Sequence, residues 1–108
     1  MDSRLDERLN ALADQIDLLR EVETAFLLLE ASKKPLYSQL FLKAEGKNVA
    51  EKEANAYNSK DWRDFAAGLV EAESAFNHER RRYELKLKAY DAEHLSLKTE
   101  TPVIKRQA

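Results

Sequence analysis

The residues of this chain best suited to chemistry are a basic run, Arg80-Arg81-Arg82, extended by Lys86 and Lys88. Guanidinium and ammonium groups bind phosphate, and Tyr83 and Tyr90 beside them could stack on bases, so this is the candidate nucleic-acid contact. On a helix, three adjacent arginines point in directions about 100° apart, which spreads the charge instead of focusing it. The competing reading is a solvated helix face paired with Glu79 and Glu84. Other chemistry is thinner. His78 and His94 lie sixteen residues apart and lack the His-x-x-x-His or Glu-x-x-His spacing that gathers metal ligands on one helix face. The acids Glu51/Glu53 and Glu71/Glu73 are two residues apart, so on helices they diverge and form no general acid–base pair. The glycines Gly46 and Gly68 stand alone, so there is no glycine-rich phosphate loop. With no cysteine in the chain, disulfides, thiolate metal sites and thiol nucleophiles are excluded. The expectation is a protein without catalytic residues, metal or cofactor, and not an enzyme.

Composition says what must carry these residues. The chain has 108 residues, 35% of them charged, with only 2 glycines and 2 prolines. That scarcity of turn residues, with Ala, Leu, Glu, Lys and Arg abundant, predicts long helices and coiled coils. The formal net charge of -2 names no partner. No apolar core follows Met1-Asp2-Ser3-Arg4, and the apolar run from Ala25 to Leu29 is too short to span a bilayer. A cytoplasmic protein that does not enter membranes is expected.

The first helix is expected from about residue 3 to 45. Its apolar stripe reads Leu5, Leu9, Leu12, Ile16, Leu19, Val22, Phe26 and Leu29, an approximate heptad with one 3-3 step at Val22 that shifts the seam. Pro35 either kinks this helix or opens a new one; the pattern resumes at once in Leu36, Tyr37, Leu40 and Phe41, which favours a kinked, nearly continuous helix. Gly46 fits a left-handed cap that ends it. Asn48 then caps a short helix, about 48–57, whose apolar face is Val49, Ala50, Ala54 and Tyr57. Ser59 caps a last helix, about 60–97, with the stripe Trp62, Phe65, Leu69, Ala72, Phe76, Tyr83, Leu87, Tyr90, His94 and Leu97, broken where Glu79 and Arg80 fill the seam. Gly68 either allows close helix approach or is a tolerated defect. A flexible tail is expected over 99–108.

The expected fold is therefore all-α: a long antiparallel helical hairpin with a short connecting helix, with residues 1–98 as a single helical domain. Each long helix would reach roughly 55–65 Å. Two helices can bury only one face each, and Leu27-Leu28-Leu29 covers more than one side. Leu19, Phe26, Leu28, Leu29, Tyr37, Phe41, Trp62, Phe65, Leu69 and Phe76 are the candidate core or oligomer-interface residues. Self-association is expected, as a homodimer forming a four-helix bundle or as a tetramer. Tyr37, Phe41, Tyr57, Trp62 and Phe65 should cluster at the corner, as core or subunit contact in preference to a small-ligand pocket.

The segment Leu40-Phe41-Leu42-Lys43-Ala44-Glu45-Gly46-Lys47-Asn48-Val49-Ala50-Glu51-Lys52-Glu53-Ala54, with Ala56-Tyr57-Asn58-Ser59, resembles a group of small phage and prophage proteins of no assigned activity. They share an Ala-Glu-Gly-(small)-Val-Ala-Glu-(basic)-x-Ala core followed by a long charged helix, as in Asp61 to Leu97 here. Genes of that group often lie beside phage recombination genes, including single-strand annealing proteins. The resemblance implies an accessory role in phage DNA recombination or processing inside a bacterial host, and supplies no active-site residues. The leading expectation is a non-enzymatic homo-oligomeric interaction protein with a phage recombination protein or DNA as partner. Direct nucleic-acid binding through the basic face, and inhibition of a host protein, are the alternatives.

Overall fold

A computed structural model describes the backbone of residues 3–107 and the side chains of residues 3–96. Three helices follow in order: α1 (Ser3–Lys43), α2 (Val49–Tyr57) and α3 (Lys60–Gln107). No strand occurs among the described residues. The fold is an all-α helical hairpin, with α2 between its two long arms. Contacts divide it into two units. One holds the residues up to Glu21 and those from Asn77 onward; the other is Val22–Phe76. In each, α1 and α3 pair antiparallel.

The apolar seam is more regular than the sequence suggested. From Leu12 to Leu29 of α1 the inward positions run Leu12, Gln15, Leu19, Val22, Phe26 and Leu29, alternating steps of three and four. The expected 3-3 step vanishes because Gln15, not Ile16, takes the fully buried position. Leu9, expected on the stripe, is exposed. In α3 the same alternation runs unbroken through Trp62, Phe65, Leu69, Ala72, Phe76, Glu79, Tyr83, Lys86, Tyr90 and Glu93. The expected break at Glu79 is therefore no break. The heptad continues through polar residues, and His94 falls on the exposed side of it. Leu97, at the stripe's expected end, has its side chain outside the described residues.

Helix ends follow local chemistry. Asn48 Oδ1 accepts from the Glu51 amide at 2.9 Å and caps α2. The Ser59 hydroxyl accepts from the Trp62 amide at 3.2 Å and donates to the Ala56 carbonyl at 2.7 Å, joining the end of α2 to the start of α3. Pro35 lies inside α1 without ending it. It removes the amide that would bond the Ala31 carbonyl, and both residues face outward, where water can replace that bond. Helical backbone also continues past Leu97 to Gln107, through Pro102, where a tail was expected.

Three expectations about the corner need correction. First, α1 stops at Lys43, not Glu45. Second, no glycine has a positive φ, so Gly46 is not a left-handed cap. It is needed for close approach instead: a Cβ there would lie 2.8 Å from the Lys52 amide nitrogen. Third, α2 turns Ala56 and Lys52 inward, while Val49, Ala50 and Ala54 are exposed; of the expected face only Tyr57 packs, through one side of its ring against Tyr37 and Trp62. The reason is steric and electrostatic: Ala56 is small enough to be buried, and the Lys52 ammonium sits over the Phe41 ring, 5.9 Å from its centroid.

The two glycines therefore make opposite predictions. A Cβ at Gly68 would meet nothing within 4 Å, so that glycine is a tolerated defect in α3. Gly68→Ala should stabilise the fold by about 0.5–1 kcal/mol through helix propensity. Gly46→Ala should destabilise it by about 1–3 kcal/mol, because backbone must move. Thermal melts followed by circular dichroism would show melting temperatures displaced in opposite directions. A lower melting temperature for Gly68→Ala would mean that another chain closes on that face.

Candidate functional site

The Val22–Phe76 unit is held by rings. Phe26 on α1 stacks on Phe76 of α3 with centroids 5.8 Å apart. Nearer the corner, Tyr37 stacks on Tyr57 at 4.8 Å, and Trp62 meets both edge-on, at 5.8 Å from Tyr37 and 5.3 Å from Tyr57. Phe41 and Phe65 extend the cluster at 6.3 Å from Tyr37 and 5.7 Å from Trp62. One aromatic group thus joins all three helices, as the spacing predicted. Burial, with Tyr57 and Glu53 nearby, raises the Tyr37 hydroxyl pKa above its ordinary value. A groove of about 590 Å³ opens beside Tyr37, Tyr57 and Trp62, lined also by Glu30, Lys33 and Lys34. Its aromatic faces already stack on one another, so the cluster acts first as packing.

The other unit is held by polar groups. Gln15 is fully buried and its amide is fully used. Its nitrogen donates to the Glu79 carbonyl at 3.1 Å and to the Glu79 carboxylate, and its oxygen accepts from Lys86 Nζ at 3.1 Å. The carboxylate of Glu79 also pairs with Arg82 at 3.5 Å. The Gln15 hydrogen bond leads the causes that hold the Glu79 carboxyl below the usual carboxylate range, aided by Arg82, His78 and Lys86 against the opposing effect of burial.

This geometry rearranges the candidate nucleic-acid contact. Lys86 is not on an outward basic face; it lies half-buried on the seam, bound to Gln15. Arg82 is paired with Glu79, and Arg80 donates to Asn77 at 3.1 Å. Arg81 and Lys88 are exposed. The five cations are thus not gathered on one surface. Among the described residues, no group of three or more His, Asp or Glu converges as a metal site would. His94 stacks along its own helix on Tyr90.

Of the candidate interface residues, Leu19, Phe26, Leu29, Tyr37, Phe41, Trp62, Phe65, Leu69 and Phe76 are half-buried along the seam, and Leu28 is exposed. Deep burial is scarce: among the described residues, only Leu12, Leu40, Ala56 and Gln15 reach it. Meanwhile Leu27, Leu28 and Leu42 on α1 stand 54%, 64% and 79% exposed. Sequence reading missed Gln15, because a buried amide at a heptad position looks like a surface residue. The signal was available: steps of three and four on both sides of it meet there.

No helix among the described residues is long and apolar enough to cross a membrane. No family model, no curated protein and no solved structure matches the chain.

Proposed function

We propose that this chain is a non-enzymatic helical interaction protein that works as a homodimer. The observation that supports the reading is the imbalance on α1: Leu27, Leu28 and Leu42 face outward while few side chains are deeply buried. Single exposed leucines are ordinary, but on α1 two are adjacent, Leu27 and Leu28, and Leu42 lies on the same side of the helix about 21 Å further along, so one helix face offers apolar contacts at both ends. From the resemblance of its central segment, the protein's place is as an accessory factor in phage DNA recombination or processing in the bacterial cytoplasm.

Light scattering on the purified chain tests the first part. A dimer has twice the monomer mass of 12.5 kDa. A monomer at micromolar concentration would refute self-association. Adding single-stranded or duplex oligonucleotides at about 50 mM salt tests DNA as the partner, because phosphate contacts are strongest at low salt. No mass change with DNA would leave a protein partner, detectable by co-purification with a phage recombination protein. A DNA complex formed through Arg81 and Lys88 would instead make direct nucleic-acid binding the main activity.

A further inference from the structure

Resting on the self-association proposed above, we infer that α1 pairs antiparallel with α1 of a second copy. The contact is the outer face between Thr24 and Leu42, in a two-fold arrangement whose register is set by Glu30 of each chain facing Lys34 of the other.

Three features of the exposed face carry this. At about 100° of turn per residue, Thr24, Leu27, Leu28, Ala31, Lys34, Pro35, Ser38 and Leu42 fall within about 60° of one line along α1. All eight are exposed, and Lys34 is the single charge among them. A solvated helix normally places charges there. Here Leu27 and Leu28 stand near one end and Leu42 at the other, and the positions between them include Ala31 and Ser38, which with Thr24 are small enough to let a second backbone approach.

The second feature is the order of the charges. From Val22 to Lys43 the acids Glu23 and Glu30 precede Ala31, and the bases Lys33, Lys34 and Lys43 follow it. Parallel self-pairing in register would set like charge beside like. Antiparallel pairing sets Glu30 against Lys34, the acid and the base that flank the exposed line on one side, so at that level the surface is complementary to itself.

The third feature is register. In an antiparallel pair, flanking positions on the same side of the two helices meet. Glu30 and Lys34 lie on the same flank, and Ser32 is midway between them. A two-fold axis at the level of Ser32 therefore makes both Glu30–Lys34 contacts together. The same axis sets Leu27 and Leu28 against the Pro35–Ser38 stretch of the other copy, and Leu42 beside its Thr24.

Two single variants test the proposal by sedimentation equilibrium in about 50 mM salt, where charge is least screened. Glu30→Lys alone puts lysine against lysine, and Lys34→Glu alone puts acid against acid. Each should weaken self-association by at least about tenfold. Mixing the two should restore dimers, as heterodimers captured through a tag on one chain. A salt bridge within one helix could not be restored by mixing, so recovery reports a contact between copies. Both positions are exposed, and unchanged helical circular dichroism would show the variants folded. A wild-type monomer would overturn the self-association reading and this one together. A wild-type dimer whose two variants dimerise as well as it does, or whose mixture yields no heterodimer, would overturn this interface alone.

Discussion

Replacing Trp62 with alanine is expected to destabilise the protein by about 2–4 kcal/mol, the lower part of the range for large-to-small aromatic changes because Trp62 is only half-buried. Its ring contacts Tyr37, Tyr57 and Phe65, one ring from each helix. Each such pair contributes about 0.5–1.5 kcal/mol beyond simple burial. Domains of this size are stable by about 5–15 kcal/mol in all, and few deeply buried side chains compensate here. Circular dichroism during heating should show a melting temperature lower by at least about 10 °C. Trp62→Phe keeps an aromatic ring and should recover more than half of the loss. If Trp62→Ala melted like the wild type, the ring cluster would not be what fastens α2 between the long helices. In the wild type Trp62 is also the sole tryptophan, so its fluorescence reports unfolding of this corner directly.

That corner was legible in the sequence because its signals are local. Asn48 three residues before Glu51, and Ser59 three before Trp62, are caps whose partners lie in the next helical turn, and both form. The aromatic residues could be placed because α1, α2 and α3 must converge where the chain turns. Features that depend on non-local packing were not legible. Gly46 is read by default as a conformational glycine, and nothing nearby says that the Lys52 amide will occupy the space of its Cβ. The inward face of α2 could not be read from hydrophobicity, because Lys52 lies over Phe41 while Val49 remains in water. Lys86 looked like part of a basic surface for the same reason. Its partner Gln15 lies 71 residues away, and only the pairing of α1 with α3 brings them together. An apolar pattern marks where a seam runs; it is silent about the polar residues that hold positions within it.

Those polar residues lead to the second large effect. Gln15→Leu should destabilise the unit that contains it by about 1–3 kcal/mol, although it replaces a buried polar side chain with an apolar one. Leucine fills much the same volume, but it leaves Lys86 and the Glu79 carboxylate without the amide that serves both. Replacing all three residues together with leucine should have the opposite sign, since no polar group is then stranded. The expected loss there is specificity: a seam without its polar lock admits other registers, as coiled coils do when a buried polar residue is removed. Hydrogen exchange would report this as weaker protection around Leu12 and Tyr83 despite a higher melting temperature. The same network sets a pH dependence. Because the folded pKa of Glu79 is lowered from 4.5, its stabilising contribution is complete above that value and is lost as pH falls through the lower folded value. Melting temperature should therefore drop on the acid side, and Glu79→Gln should flatten that slope. An unchanged slope in Glu79→Gln, together with wild-type stability in Gln15→Leu, would show that the three side chains lie close together without holding the helices in register.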